Sequence, residues 1–474
     1  MIEWSASVSR GSVMKETNYR HYLLVLLLLI SAFNSVDRYV LGLIGQNLET
    51  DLSLSDSQLG MLSGIAFAFF FSLMGIPIAR WSDRGDRVLI IAVTTLLWSV
   101  ALALSGLATN FLQFFLLRIN VAVGEAGCFP ASSSLLSEYF NRDERPRALA
   151  RYLLGGSLGL VIGYLFGGWL NEYLGWRLTF ALVGAPGAAL GVLAWLTLRE
   201  PRRLRGIQSL EPLEDGRSAA SDPEKGMPTA PQPSLRSVCA VLARNRTFGH
   251  LLICFAVITF TGTGVAQWLP VFFVRRYGLA TGELGTWMAI VYGSTYAFGT
   301  YWGGELASRY AANNESLQIR MMAWTYVISG LLATAVYLAP NHQLAFALLG
   351  ASAIFSAMST GPLLAVIQAI VPDRMRAQST ALVFLSANLI GLGLGPWAVG
   401  ALSDGLHPWA GDGALRYALL AMCPTYLWSA WHLYLSAGTV AHDMHAVDAE
   451  QKRTEVEAIP ASERTRAHYV LPHE

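Results

Sequence analysis

The chain has 474 residues, of which 53% are apolar and only 14% are charged, and its formal net charge is +1. Soluble globular proteins carry about 25% charged residues and disordered chains are more polar still, so the composition excludes both classes. A net charge near zero also argues against a nucleic-acid partner. Because a span needs about 20 apolar residues, the composition predicts a protein that crosses a membrane many times.

Apolar runs bounded by glycine, proline or charge predict an all-α protein with twelve membrane-spanning helices. Six lie in a first half, 22–198, and six in a second half, 247–437. The predicted spans are 22–47, 57–79, 88–108, 110–139, 148–172, 177–198, 248–274, 282–307, 320–339, 342–371, 376–403 and 413–437. Residues 199–246 predict a polar cytoplasmic linker, 1–21 a polar tail, and 438–474 a disordered tail.

The basic residues predict the orientation of the chain in the membrane. If the N-terminus lies inside, the inner loops contain Arg80, Arg84, Arg87, Arg142, Arg145, Arg147, Arg309, Arg320, Arg374 and Arg376. The outer loops then contain only Arg177, Arg275, Arg276 and Arg416. Because basic residues concentrate on the cytoplasmic side, both termini are expected in the cytoplasm. The glycosylation sequons at Asn245 and Asn314 would then face the cytoplasm and stay unmodified.

An internal repeat relates the two halves. Arg145-Pro-Arg147-Ala148 precedes the fifth span, and Arg374-Met-Arg376-Ala377 precedes the eleventh. Each motif leads into a glycine-rich helix, and small residues four positions apart let helices approach closely. The pattern predicts two pseudo-symmetric six-helix halves whose glycine-rich helices let them slide or rock against each other.

Charged residues inside predicted spans are the most informative feature. Span 1 contains Asp37 and Arg38, and span 4 contains Arg118 and Glu125. A charge at the bilayer centre costs about 2.5–3.5 kcal/mol, so it needs a partner, a watery cavity or a function. The sequence predicts that one arginine neutralises one acid across the interface of spans 1 and 4, and leaves the pairing open. A fixed ion network that only sets helix packing is the alternative.

The second half offers hydroxyl, amide and aromatic groups instead of charges. The candidates for substrate binding are Thr263, Gln267, Tyr292 and Ser359. The alternative for each single residue is a hydrogen bond between helices. As a set they predict a cavity that is charged on one wall and weakly polar on the other, which suits an amphipathic substrate better than a sugar.

The loop after span 2 contains the predicted inner gate. Asp83, Arg84 and Arg87 lie within five residues, and such a loop can join one half to the other through ion pairs. Arg147 and Arg376, from the repeated motif, complete the predicted gating set. The simpler alternative is that these residues anchor the loop at the inner membrane surface.

Several motifs resemble one family. Asp83-Arg84-x-x-Arg87 resembles the loop motif of the major facilitator superfamily, although Ala79 and Asp86 stand where glycine is usual. The resemblance narrows to the spinster branch through Arg118-x-x-x-Ala122-x-Gly124-Glu125-Ala126, Asn34-x-x-Asp37-Arg38-Tyr39, Gly159-x-x-x-Gly163-Tyr164-x-x-Gly167, Arg199-Glu200-Pro201 and Gly400-x-x-Ser403-Asp404. Alanine replaces one glycine of the span 4 motif.

The resemblance implies a bacterial inner-membrane transporter of sphingolipid-like or lysophospholipid-like molecules that works by alternating access. Glu125 and Asp37 would be the proton-coupled acids. Arg38 and Arg118 would be their partners or would bind an anionic head group, and Asp83, Arg84 and Arg87 would form the gate. The expected partners are the substrate, protons and membrane lipids, with the protein acting as a monomer.

Other functions remain as alternatives. A drug/proton antiporter and an organic-anion symporter would share the fold, whereas a non-transporting sensor would not need glycine-rich helices in both halves. An enzyme is not expected, because the G-x-S-x-G match at 155–159 lies in an apolar helix. No metal or other cofactor is expected either, because the sequence has no metal-binding cluster and no nucleotide-binding P-loop.

Overall fold

The computed structural model describes residues 2–201, 235–312, 314–372 and 375–458, and its regular structure there is entirely helical. Nine helices of this described part are long and apolar enough to cross a membrane. Two of them, Arg145–Thr197 and Gln378–Val447, contain two predicted spans each, while Thr281–Tyr310 is not among the nine. The chain is therefore a multi-pass, all-α membrane protein, and the count of twelve crossings stays a prediction.

The first half forms seven helical segments. They are α1 (Ile2–Leu52), α2 (Asp56–Ser63), α3 (Ile65–Arg84), α4 (Arg87–Ser105), α5 (Phe111–Ala126), α6 (Cys128–Tyr139) and α7 (Arg145–Thr197). Predicted spans 2 and 4 are interrupted at Gly64 and Gly127. Predicted spans 5 and 6 form one segment that bends at Gly175, whose φ of 76° lies in the left-handed region that favours glycine.

The second half begins after residues 202–234 of the predicted linker, which lie outside the described residues. Its helices are α8 (Leu235–Arg244), α9 (Arg246–Tyr277), α10 (Thr281–Tyr310), α11 (Glu315–Leu338), α12 (His342–Met358), α13 (Thr360–Ala369), α14 (Arg376–Ser386), α15 (Gly395–Ala410), α16 (Ala414–Met422) and α17 (Pro424–Ala458). A π-helix, Ala387–Leu394, joins α14 to α15, and a 3₁₀ turn, Gly411–Gly413, joins α15 to α16.

The prediction of a disordered tail from residue 438 is wrong for 438–458. The helix α17 continues to Ala458. Its Asp443 carboxylate accepts a hydrogen bond of 2.8 Å from the backbone N–H of Thr247, and the hydroxyls of Thr439 and Thr247 lie 2.6 Å apart. These contacts hold residues 439–443 of α17 against the start of α9, so the polar composition there does not leave the segment unstructured.

Asparagine side chains fix the starts of four helices. Asn110, Asn245, Asn314 and Asn341 each accept a hydrogen bond from the backbone N–H three residues later, at 2.8–3.0 Å. This is the usual way in which an N-cap residue satisfies a free amide of the first turn. Two of these residues, Asn245 and Asn314, belong to the sequons and are thus N-caps.

The glycine ridge of α7 packs against α1 within the first half. A Cβ atom at Gly155 or Gly159 would lie 2.7 Å or 2.3 Å from the carbonyl oxygens of Leu28 and Ala32, respectively. Only glycine allows this backbone contact. These two glycines therefore fix α1 to α7 within the first half, and the sliding or rocking of the halves stays a prediction. Other glycines lie between the halves, as described below.

Candidate functional site

Four charged side chains meet at the interface of α1 and α5. The guanidinium of Arg118 donates to the Asp37 carboxylate over 2.6 Å, and both side chains are at most 1% exposed. The guanidinium of Arg38 donates to the Glu125 carboxylate. The prediction of arginine–acid pairs across spans 1 and 4 is confirmed, and the structure resolves which arginine pairs with which acid. We refer to these four residues as the buried cluster.

The members of the buried cluster differ in exposure. The Glu125 side chain is fully buried, whereas 35% of the Arg38 side chain is exposed. One oxygen of each acid, Asp37 Oδ1 and Glu125 Oε1, is buried without a hydrogen-bond partner. Buried carboxylate oxygens are normally hydrogen-bonded, so these two oxygens are exceptions to the usual pattern. Arg38 is the member that a solute can reach.

Phe67 of α3 lies against both arginines. The guanidinium carbons of Arg38 and Arg118 lie 4.7 Å and 5.6 Å from the centre of its ring. Phe67 itself is almost fully buried. The ring excludes water from one side of the ion pairs and stabilises both cations through its π-face.

A cavity of about 320 Å³ lies within the second half, between α9, α10, α11, α12, α13 and α17. Its polar lining consists of serine and threonine hydroxyls, Thr259, Ser352, Ser356 and Thr360, and five tyrosines, Tyr292, Tyr296, Tyr326, Tyr337 and Tyr426. The rest of its lining is apolar. We refer to it as the tyrosine cavity, and it is large enough for part of an apolar ligand.

Three aromatic rings connect the neighbourhood of the buried cluster with the tyrosine cavity. Tyr39, the neighbour of Arg38, lies 5.2 Å from Tyr164 of α7, measured between ring centres. Tyr164 stacks on Tyr292 of the second half at 6.1 Å with an interplanar angle of 14°. The predicted binding residue Tyr292 therefore lies at the junction of the two halves and lines the cavity.

The other three predicted binding residues do not line the tyrosine cavity. The Thr263 hydroxyl donates to the carbonyl of Gly391 at 2.8 Å, and the Ser359 hydroxyl lies 2.6 Å from that of Thr325. Both hydroxyls thus make contacts between helices, which was the alternative. Gln267 packs against Gly42 between the halves.

Glycines bring the two halves into backbone contact along a surface that we call the seam. A Cβ atom at Gly60, Gly64, Gly168, Gly285 or Gly400 would lie within 2.1–2.5 Å of a backbone oxygen of the other half. Each position tolerates only glycine while the halves stay in contact. These glycines lie in α2, at the α2–α3 junction and in α7 of the first half, and in α10 and α15 of the second half, so the seam holds the two halves together on one side of the molecule.

On the same side, polar contacts of Arg275 and Asp404 join the two halves. We call these contacts the latch, and the sequence did not predict them. Arg275 at the end of α9 donates to both oxygens of Asp56, at 2.7 Å and 3.1 Å, and to Gln46 at 2.6 Å. It also pairs with Glu49. From α15, the Asp404 carboxylate accepts a hydrogen bond from the backbone N–H of Asp56 at 3.1 Å. Two halves of the chain are thus joined by charge-assisted hydrogen bonds.

The predicted inner-gate residues lie apart from this latch. Asp83 and Arg84 are exposed in the last turn of α3. Arg147 is exposed at the start of α7. Arg376 donates to the carbonyl of Gln368 at 2.9 Å within the second half. Arg374 of the repeated motif lies outside the described residues, so the gating role of this set stays a prediction.

Arg87 is buried within the first half. Its backbone N–H and its Nε donate to Glu200 at 2.8 Å and 3.2 Å, and its guanidinium also pairs with Glu138. The Arg87 side chain is 2% exposed. This network fixes α4 to the end of α6 and to the segment after α7, so the Arg199-Glu200-Pro201 motif has a structural role here.

Among the described residues, no group of three or more side chains could hold a metal ion. The site therefore consists of the buried cluster, the tyrosine cavity, the seam and the latch. This arrangement places two buried carboxylates beside two arginines, of which Arg38 is partly exposed.

The chain is similar to a solved structure over most of its length. A bacterial homologue of the human lysosomal transporter Spinster, crystallised in an inward-facing and unoccupied conformation, matches with a TM-score of 0.77 and 29% identity. The match covers 90% of this chain and 98% of the other. The resemblance to the spinster branch is confirmed.

Named relatives include an efflux pump and a probable sugar-acid transporter. An MFS-type efflux pump of Mycolicibacterium smegmatis is 28% identical over 402 residues, covering 84% of this chain and 87% of the relative. The "Probable L-galactonate transporter" of Escherichia coli K12 is 26% identical over 270 residues, covering 56% and 57%. These relatives are transporters and efflux pumps, not enzymes. The family model for the Major Facilitator Superfamily matches residues 27–396. The chain belongs to the Major Facilitator Superfamily of membrane transporters.

Proposed function

We propose that the chain is a secondary transporter that couples protons to the movement of an amphipathic anion of the sphingolipid or lysophospholipid type. The buried cluster is the observation that carries this proposal. It combines two buried carboxylates, each with one oxygen lacking a partner, and one arginine that is partly exposed. When an acid of the buried cluster takes up a proton, its ion pair with arginine weakens. The arginine can then bind an anionic head group.

The tyrosine cavity supports an amphipathic substrate. It is largely apolar, and Tyr292 and Tyr164 lie between it and the Arg38 region. An anionic head at Arg38 would leave an attached hydrocarbon chain free to enter this cavity. Burying such a chain contributes about 0.8 kcal/mol per methylene, which no sugar can match.

Alternating access is the proposed mechanism. The seam and the latch close one side of the molecule, and opening that side requires Arg275 to leave Asp56 and Glu49. Substrate and proton would reach the buried cluster from the opposite side. One chain contains both halves, so a monomer suffices.

An organic-anion symporter is the second candidate. The L-galactonate relative favours it, and Arg38 could bind a sugar-acid carboxylate as well as a phosphate. The two candidates differ in what the tyrosine cavity does. Competition between lysophosphatidylglycerol and galactonate in proteoliposomes separates them, since only the lipid candidate requires an acyl chain for uptake.

Replacing Arg38 by lysine tests the head-group role. Arg38→Lys keeps a positive charge opposite Glu125 but removes the planar fork that binds two oxygens. Binding of lysophosphatidylglycerol should weaken about tenfold, while a neutral monoacylglycerol with the same chain should change less than twofold. Isothermal titration with purified protein measures both. The exposed Arg80→Lys is the matched control, and equal losses for both ligands would refute the role.

The orientation can be tested without substitution. We propose that both termini and the linker are cytoplasmic, in agreement with the arginine distribution. Cys239 of α8 is exposed, whereas the other three cysteines are buried. A membrane-impermeant maleimide should label Cys239 in opened membranes and not in intact cells. Labelling in intact cells would show that the linker lies outside and would contradict the proposed orientation.

A further inference from the structure

A small basic cavity lies where α1 meets the loop between α6 and α7. Its volume is about 180 Å³, and its charged and aromatic lining is Arg20, His21, Phe140, Glu144, Arg147 and Arg151. Pockets that enclose a whole small ligand measure about 300–1,000 Å³. This cavity therefore has room for a single charged group rather than for a complete ligand.

The charges of this cavity do not balance. Three arginines face one acid, Glu144, which pairs with Arg20. In the part of the chain that the structure describes, Arg147 and Arg151 have no ion-pair partner. They are four residues apart on α7 and so lie on one face of the helix. The cavity thus has two arginines available for an anion.

Arg20 is held in place beside these two arginines. Its guanidinium carbon lies 4.6 Å from the centre of the Phe140 ring, and its Nε is buried without a hydrogen-bond partner. The cavity also lies at the start of α7, where the helix dipole adds positive potential. A rigid cation, two free guanidinium groups and a helix N-terminus form a site for an oxyanion.

The surroundings indicate where this oxyanion comes from. Leu153 and Leu154, just after Arg151, are 57% and 59% exposed, as expected for side chains that face lipid. Val25, in the second turn after Arg20, is 55% exposed. The cavity therefore lies at the border between the apolar belt and the polar face. An oxyanion bound there could carry acyl chains that pack along these exposed side chains.

We propose that this cavity binds the phosphate group of an anionic membrane lipid. Arginine forks match phosphate oxygens, and basic pockets between helices at the membrane surface are suited to anionic head groups. Arg20 and Arg38 are 18 residues apart on one helix, about 27 Å at 1.5 Å per residue. The lipid site is therefore separate from the proposed transport site and does not depend on it.

Glu144 limits the affinity of this site. Its hydrogen bond with Arg20 lowers the pKa of the Glu144 carboxyl, so this group is ionised at neutral pH. The Glu144 carboxylate forms an ion pair with Arg20, and its negative charge repels a phosphate group. Replacing Glu144 by glutamine should therefore tighten lipid binding severalfold, which loss of a merely structural ion pair would not do.

Native mass spectrometry of the full chain in detergent micelles tests the proposal. The wild type should retain phosphatidylglycerol in preference to phosphatidylcholine with the same acyl chains. Arg147→Gln/Arg151→Gln should weaken phosphatidylglycerol binding at least tenfold, and Glu144→Gln should strengthen it. Arg142→Gln, an exposed arginine of the same loop that does not line the cavity, should leave it unchanged. Gel filtration checks that each variant is folded.

Three results would overturn the proposal. The first is equal phosphatidylglycerol binding by the wild type and the double variant, and the second is an equal loss of binding in Arg142→Gln. The third is displacement of the lipid by inorganic phosphate at the same concentration, which would make soluble phosphate the ligand. Failure of inorganic phosphate to compete, together with loss in the double variant alone, supports the lipid site.

Discussion

Replacing Glu125 by glutamine will make transport independent of a pH gradient while the protein stays folded. Glutamine has nearly the same shape and still accepts a hydrogen bond from Arg38, but it cannot gain or lose a proton. A gradient of one pH unit supplies about 1.4 kcal/mol per proton, which corresponds to tenfold accumulation of substrate. In proteoliposomes the wild type should accumulate substrate up to this ratio, and Glu125→Gln should only equilibrate it.

Two controls distinguish a loss of proton coupling from a general loss of transport. Glu283→Gln removes an exposed glutamate at the start of α10, outside the buried cluster, and should retain gradient-driven accumulation. Counterflow, which needs no gradient, should persist in Glu125→Gln and shows that the variant still moves substrate. Gradient-driven accumulation equal to that of the wild type would refute the role of Glu125 in proton coupling.

Replacing Arg275 by glutamine will shift the protein towards the conformation in which the seam side is open. Arg275 donates to Asp56 and pairs with Glu49, and both acids lose their partner when it is removed. A partly buried charge without its partner costs about 1–3 kcal/mol, and each 1.4 kcal/mol changes a two-state equilibrium tenfold. The closed state should therefore lose about tenfold in relative population.

Distances between labels measure this shift. Spin labels at Thr50 and Asp412, one in each half and both exposed, should report a longer distance in Arg275→Gln than in the parent. The exposed Cys239 is first replaced by serine. Arg276→Gln is the matched control, because its guanidinium lies beside Tyr277 and outside the latch. The same distance distribution in parent and Arg275→Gln would contradict the latch.

The buried cluster could be predicted because charge is rare in apolar spans. Asp37, Arg38, Arg118 and Glu125 stand out against their neighbours, and their cost in a membrane demands partners. Their pairing could not be derived, because the adjacent residues Asp37 and Arg38 point about 100° apart and either could face span 4. The rotation of α1 relative to α5, which the sequence does not show, determines which arginine pairs with which acid.

The latch could not be predicted for a different reason. In the sequence, Arg275 is indistinguishable from other charged residues at the ends of spans. Its partner Asp56 lies 219 residues away in the chain. Only the docking of the two halves brings them together. The hydroxyls of Thr263 and Ser359 show the converse problem, since a residue suited to binding substrate is equally suited to a contact between helices.

The buried cluster has an electrical consequence. Its two arginines and two carboxylates sum to zero charge, so one proton makes it +1 and a bound monovalent anion returns it to zero. The membrane potential, worth about 2.3 kcal/mol per charge per 100 mV, then does no net work on the loaded carrier. Symport of one proton with one such anion would therefore be electrically silent, whereas symport of the same proton with a neutral substrate would generate a current.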